Sequence, residues 1–276
     1  MLSFIKKALE RKKARRITRE YPTTIDTFVI DEIGEVNFAN WQNPLIKPVT
    51  ITSEMVAFFK QFISRGDLAI DIGANIGDTT VPMALCAGKE GLTIGFDPNP
   101  YVYKVLEENA SLNLTNANIA IHQYAITTEP EEFFFISSEA SFGNGGISKT
   151  KDSIHGKFIY PEKIKGVNLK QFLTANYADK LGKLSFIKID TEGYDKEIIK
   201  SISNLIDEYK PVIVAESFGK ASNNAKMELY EVIARHKYDI FYFADFDIRA
   251  KTKKIESKKE MTNWKTTMNI FATPQI

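Results

Sequence analysis

Apolar residues in this chain fall into short runs set between stretches of helical periodicity. Residues 68–72 (LAIDI) and 92–96 (LTIGF) are runs of strand length, each closed by a turn signal. Residues 77–87 and 100–112 read as helices and 119–124 as a third strand. Further along, 184–189, 212–215 and 240–243 read as strands, with helices over 196–206 and 226–236 between them and a last strand over 266–272. Strands alternating with helices predict an α/β fold, a parallel sheet covered on both faces.

Three regions depart from that rhythm. Residues 27–30 and 35–38 look like two short strands around a turn at Gly34, followed by a helix over 53–64 with Ser53 as its N-cap. Residues 131–167 hold Phe133, Phe134, Phe135 and Ile136, then a long polar loop with Gly143-Asn144-Gly145-Gly146 whose glycines would let it close over a substrate. Residues 250–265 are lysine-rich and read as an exposed connection. The first twenty residues place Leu2, Ile5 and Leu9 at helical spacing, with Phe4 and Ala8 beside them. Eight cations (Lys6, Lys7, Arg11, Lys12, Lys13, Arg15, Arg16, Arg19) crowd the rest. Such a helix suits either docking on its own domain or an anionic membrane surface.

Composition narrows the function. The 276 residues are 43% hydrophobic and 26% charged, with a net charge of +1. A near-balanced charge argues against a long nucleic-acid footprint, so no nucleic-acid partner is expected. The single cysteine, Cys86, rules out an internal disulfide and a cysteine-held zinc, and its apolar surroundings predict an inert buried thiol. No apolar run reaches the ~18 residues of a membrane span, and the basic N-terminus lacks a signal-peptide core. A cytoplasmic location, at the inner membrane face if the basic helix docks there, is the expectation.

The strongest chemical signal is the stretch Asp71-Ile72-Gly73-Ala74-Asn75-Ile76-Gly77-Asp78-Thr79-Thr80 after the first strand. Its glycines allow a tight strand-to-helix turn and bring a ligand against bare backbone. With Gly73 and Gly77 four apart it is not the G-x-G-x-x-G of a dinucleotide cradle, which counts against a nicotinamide dehydrogenase. A nucleoside without phosphates fits better. The second strand ends in Asp97-Pro98-Asn99-Pro100, where a carboxylate can accept hydrogen bonds from both hydroxyls of a ribose. Its competing role is to cap the following helix.

With these residues in place, the chain resembles the FkbM-type methyltransferases over about residues 43–217. The resemblance lies in 67–80, 95–112, 119–126 with its His122-Gln123-Tyr124-Ala125, Val167-Asn168-Leu169, Ile187-Lys188-Ile189-Asp190-Thr191-Glu192-Gly193-Tyr194-Asp195, and 212–216. Asp97 stands where glutamate is commoner in that family. The resemblance implies a Rossmann-like class I methyltransferase fold, a mostly parallel doubly wound sheet with an antiparallel last strand and a small N-terminal helical and β appendage. It implies S-adenosylmethionine as cofactor and O-methylation of a carbohydrate, in surface polysaccharide or glycolipid assembly. On this reading residues 1–20 are the basic helix, 21–64 the appendage, and 65–276 the catalytic domain with insert 131–167. Asp71, Gly73, Asn75, Gly77 and Thr79 would surround the methionine part of the cofactor. Asp97, with Pro98 and Asn99, would hold the ribose, and Ala125 would approach the adenine or sulfonium.

Ligands of open α/β sheets sit beyond the carboxyl ends of the strands, which directs Asp190 and Glu192 toward the transferred methyl group. Asp190 is the first candidate base and Glu192 the second, the latter equally suited to an orienting role. His155 is the one histidine placed to swing over the site. Asn144, Ser148, Lys188 and Glu216 are candidate acceptor contacts. Asp190, Glu192 and Glu216 are oxygen donors that suit a hard cation, although no spacing rule supports a metal. Two alternatives stay open: a non-sugar small molecule as acceptor, and a non-catalytic protein that keeps the fold.

Overall fold

A computed structural model describes residues 2–191 and 193–275, with side chains from Ile5 onward. In chain order the elements are α1 (Leu2–Ala14), β1 (Thr23–Ile30), β2 (Gly34–Trp41), α2 (Ser53–Lys60), β3 (Leu68–Ile72), α3 (Thr80–Ala87), β4 (Leu92–Phe96) and α4 (Pro100–Ser111). Next come β5 (Ile119–His122), β6 (Ala125–Ile126), β7 (Glu131–Ser137), β8 (Gly146–Ser148), β9 (Phe158–Val167) and α5 (Leu169–Asn176). The chain continues through β10 (Leu184–Ile189), α6 (Asp195–Ser201), α7 (Ser203–Tyr209), β11 (Val212–Ser217), α8 (Asn223–Ala234), β12 (Tyr238–Phe243), β13 (Thr252–Lys254) and β14 (Met268–Pro274).

The runs 68–72 and 92–96 are buried at every position. A strand covered on both faces has no polar side, so its sequence is continuously apolar rather than alternating. These strands sit in an eight-stranded sheet of order β13-β12-β14-β11-β10-β3-β4-β5. Its β3, β4, β5, β10 and β11 are parallel, and β14 runs antiparallel between β11 and β12. The sequence therefore predicts the mostly parallel sheet and the antiparallel last strand correctly. The chain leaves β3 toward β4 on one side, and β10 pairs on the other. The strand order reverses there, opening a crevice at the carboxyl ends.

The two faces carry separate cores. One packs Leu173, Ile198, Leu205 and Ile233 against the sheet. The other is rich in aromatics from α2: Phe58 stacks on Phe243 at 5.1 Å, and Phe59 meets Phe186 edge-on at 5.7 Å. Phe62, just beyond α2, lies 5.4 Å from Phe271. Aromatic pairs at these separations contribute beyond the area they bury.

Several expectations change. The helix after the glycine turn begins at Thr80, not 77, because Gly73, Asn75 and Gly77 all take positive φ (75°, 47° and 97°), which no helix accommodates. Thr52, not Ser53, caps α2, its hydroxyl accepting the Met55 N–H at 3.1 Å. The helix predicted over 196–206 is two, divided at Ile202. The insert is not all loop: β6, β7, β8 and β9 form a second sheet of order β6-β9-β7-β8, with the polar stretch between β7 and β9 mostly turns around the short β8. Strand β9 escapes a periodicity reading because Pro161, Glu162, Lys163 and Lys165 give it an exposed, charged face around the buried Ile164. The lysine-rich 250–265 stretch supplies edge strand β13 and buries Ile255 and Met261.

Helix α1 forms as its periodicity predicts. Its end is tied down: Ala14 is buried, and the Arg15 carbonyl accepts the Ala140 N–H of the insert at 3.3 Å. Ile5 and Leu9 remain about half exposed. The side chains of Leu2 and Phe4 lie outside the described residues.

Candidate active site

Asp71, one residue before the end of β3, is fully buried. Its Oδ2 accepts hydroxyl hydrogens from Thr79 (2.8 Å) and Thr80 (2.7 Å), and its Oδ1 accepts from Lys188 Nζ (3.1 Å). Both oxygens thus hold the turn in shape instead of facing the cleft. Lys188 is 4% exposed and also donates to the Gly73 carbonyl at 3.3 Å. Asp71 and the neighbouring Asp190 and Asp78 overcome its desolvation and hold its ammonium above the ordinary lysine range. A buried pair of this kind orients its surroundings, and removing one partner strands the other charge.

Gly73 has no substitute. A Cβ there would overlap the backbone carbonyl oxygen of Asp190, so the turn after β3 can lie flat against the end of β10 only without a side chain. Gly77 serves packing: its α-carbon faces Leu106 and Asn109 of α4, away from the cleft.

Asp97 follows β4 and is 7% exposed. Its Oδ2 accepts the Asn75 N–H and its Oδ1 the Asn99 N–H, both at 2.8 Å. Burial pushes its carboxyl up to about 7, against the pull of those two amides. The helix cap weighed against the ribose role belongs to Asn99, whose Oδ1 accepts the Tyr101 N–H while its Nδ2 donates to the Phe142 carbonyl at 2.7 Å. That bond fastens the insert to the turn after β4.

A cleft of about 600 Å³ opens at this point. Gly73, Asn75, Thr79, Asp97, Pro98 and Asn99 line it, with Phe96, Val102, Tyr124, Ala125 and Ile126 forming an apolar wall. Lys188 and Asp190 lie at its floor, and the Asp190 carboxylate is 46% exposed and 3.6 Å from Lys188 Nζ. The insert supplies the facing wall with Asn144, Ser148 and His155. His155 packs over Gly146, where any Cβ would run into the imidazole. The Asn144 Oδ1 accepts the Ser138 hydroxyl at 3.2 Å.

One sequence candidate does not join this group. Glu216 lines a separate small cavity with Asp195 and Lys226, and its N–H donates to Asp195 Oδ1 at 3.0 Å. Glu192 lies outside the described residues. Of the trio considered for a cation, Asp190 and Glu216 line different cavities; among the described residues no group of three or more such side chains is placed to hold a metal. One residue enters without a role in the sequence reading. Asp78 faces the cleft, half-buried, and desolvation raises its carboxyl to about 6. Its signal was legible, a carboxylate directly after the second glycine of the turn.

A family model described as the methyltransferase FkbM domain matches residues 71–248. The chain belongs to the FkbM family. Around the cleft stand the turn of Gly73 and Asn75, an apolar wall, and two carboxyls, Asp78 and Asp97, raised by desolvation. No curated protein matches significantly. Solved structures of similar fold include an FkbM methyltransferase from Methylobacillus flagellatus KT (13% identity, 78% of this chain and 47% of that one, TM-score 0.46). An S-adenosylmethionine-dependent O-methyltransferase from Thermotoga maritima also resembles it (11% identity, 92% and 78%, TM-score 0.43). A precorrin-6y C5,15-methyltransferase from Geobacter metallireducens aligns at 11% identity (81% and 87%, TM-score 0.43). The chain spans about half the length of the Methylobacillus protein.

Proposed function

We propose that this FkbM methyltransferase transfers the methyl group of S-adenosylmethionine to a hydroxyl of a carbohydrate acceptor, within residues 65–276. The observation that carries the reading is the Asp190 carboxylate. It is half exposed in the cleft, steadied by Lys188, between the cofactor turn and an insert wall bearing amide and hydroxyl groups. When bound, S-adenosylmethionine would supply an activated methyl group, its methyl–sulfur bond breaking to leave S-adenosylhomocysteine; the site's part is alignment of the acceptor oxygen, which can supply ~7–11 kcal/mol. Asp190 takes the hydroxyl proton, a contribution of ~10²–10⁴-fold. His155 lines the same cleft from the insert, and Glu192 follows two residues on in sequence. Asn144 and Ser148 suit hydroxyl recognition. Lys188 acts through Asp190, and Glu216 has no part in acceptor binding.

Helix α1 supports a membrane-linked acceptor such as a glycolipid, handled at the inner membrane face. Lys6, Lys7, Arg11, Lys12 and Arg16 enter no ion pair among the described residues, and Ile5 and Leu9 are exposed beside them. No described helix is long and apolar enough to cross a membrane.

Turnover of radiolabelled S-adenosylmethionine against a panel of methyl glycosides, nucleotide sugars and simple phenols tests the acceptor class. Transfer to glycosides or nucleotide sugars is expected, with the D190N variant at least about a hundredfold slower and its cofactor affinity unchanged. Transfer to phenols alone would replace the carbohydrate reading with the small-molecule one. D190N turnover within about tenfold of the parent would remove Asp190 as the base.

A further inference from the structure

The loop after β10 is built around a buried carboxylate. Asp195 is 1% exposed, and its two oxygens take the Thr191 hydroxyl at 2.8 Å and the Glu216 N–H at 3.0 Å. These bonds pin both ends of the short segment that follows Asp190. Gly193 takes φ 106°, a left-handed conformation open to glycine, and Tyr194 follows as the N-cap residue of α6. Tyr194 lines the cleft with Asp190 and is 37% exposed, one of the few large apolar side chains left open to water. In the insert, Ile154, beside His155, also lines the cleft and is 97% exposed.

An isoleucine fully in water and an aromatic ring one-third in water, both lining one cleft, are groups that gain from being covered. On the proposed reading S-adenosylmethionine would lie against the turn and Asp97, which leaves Tyr194 and Ile154 to the acceptor. A pyranose has hydroxyl edges and a face of ring C–H groups. Those hydrogens are the positive partners that the negative face of an aromatic ring attracts. We infer that Tyr194 is the platform for the acceptor ring: it stacks on the C–H face and presents a hydroxyl edge to Asp190, with Ile154 closing over the far side. This deepens the carbohydrate reading and rests on it. Tyr194 is a positioning residue with a direct acceptor contact, and its anchored backbone is what gives the stack a fixed distance from the base.

Saturation-transfer NMR on the full chain, loaded with S-adenosylhomocysteine and probed with methyl α- and β-pyranosides, reads this contact. The wild type is expected to transfer saturation mainly to ring C–H protons on one face. Tyr194→Ala should weaken pyranoside binding about tenfold while leaving S-adenosylhomocysteine affinity within twofold, and Tyr194→Trp should restore the binding. Retained cofactor affinity also shows that the variant is folded. Equal pyranoside binding by wild type and Tyr194→Ala would overturn the platform and leave the carbohydrate reading standing. Absence of pyranoside binding by a wild type that binds S-adenosylhomocysteine would overturn both.

Discussion

The α-carbon of Gly73 lies so close to the main-chain carbonyl of Asp190 that the space between them holds no methyl group. This contact sets the cofactor turn and the candidate base, far apart in sequence, against each other at the end of two paired strands. Methyl transfer needs just this: a fixed distance between a bound sulfonium and the group that handles the acceptor proton. Gly73→Ala is therefore expected to force the two strand ends apart. Overpacking and the positive φ together should cost about 2–4 kcal/mol of stability, with cofactor affinity falling as well. Thermal unfolding and calorimetry with S-adenosylhomocysteine check this. An unchanged melting temperature with normal binding would mean that the contact relaxes freely.

Asp97 makes the site sensitive to pH. Its folded-state carboxyl is raised from 3.8 to about 7, and that of Asp78 from 3.8 to about 6, both mainly by burial. The sign follows from proton counting. Between pH 4 and 7 the folded protein holds protons that the unfolded chain has released, so these two groups lend stability at low pH that is lost as pH rises through about 6 to 7. The cofactor should reverse the preference, because ribose hydroxyls and a cationic ligand favour ionised carboxylates. S-adenosylmethionine affinity is expected to climb between pH 5.5 and 7.5, with protons released on binding near pH 6.5. Titration calorimetry in two buffers of different ionisation enthalpy measures that release; identical apparent enthalpies would refute it. Asp97→Ala should lose about 1.5–3 kcal/mol of cofactor binding.

The structure also shapes the test for helix α1. Ala14 is buried and Arg15 holds the insert, so deleting the first seventeen residues would disturb the cleft wall along with the surface helix. Point changes separate the two. Lys6→Glu with Lys7→Glu, and in a second variant Ile5→Ser with Leu9→Ser, leave that anchor untouched. The parent is expected to sediment with vesicles containing phosphatidylglycerol at low salt, each cation adding about 1 kcal/mol near the surface, and to be released as salt rises. Both variants should stay in solution while binding S-adenosylmethionine normally. Sedimentation of the variants equal to the parent would dismiss the membrane role.

The sequence by itself determined the sheet and the glycine turn that borders the cleft. Buried parallel strands leave continuous apolar runs, and a turn with positive φ leaves glycines at fixed places; both are local demands, written where they act. The same holds for Cys86, predicted inert and found buried, its thiol pushed up to about 12 by desolvation. What only the tertiary structure decided are the outcomes of competition between distant groups. Asp71 reads as a ligand contact, yet Thr79, Thr80 and Lys188 reach its oxygens first. Glu216 ends a strand on the same edge as Asp190, yet it lines another cavity. Strand β9 reads as loop because Pro161, Glu162 and Lys163 are exposed in succession, which breaks the alternation a half-buried strand would show, and its pairing with β7 is set by residues distant in the chain. Which carboxylate faces solvent and which is spent on holding a turn is a matter of packing, since a carboxylate's role is set by the donors that surround it.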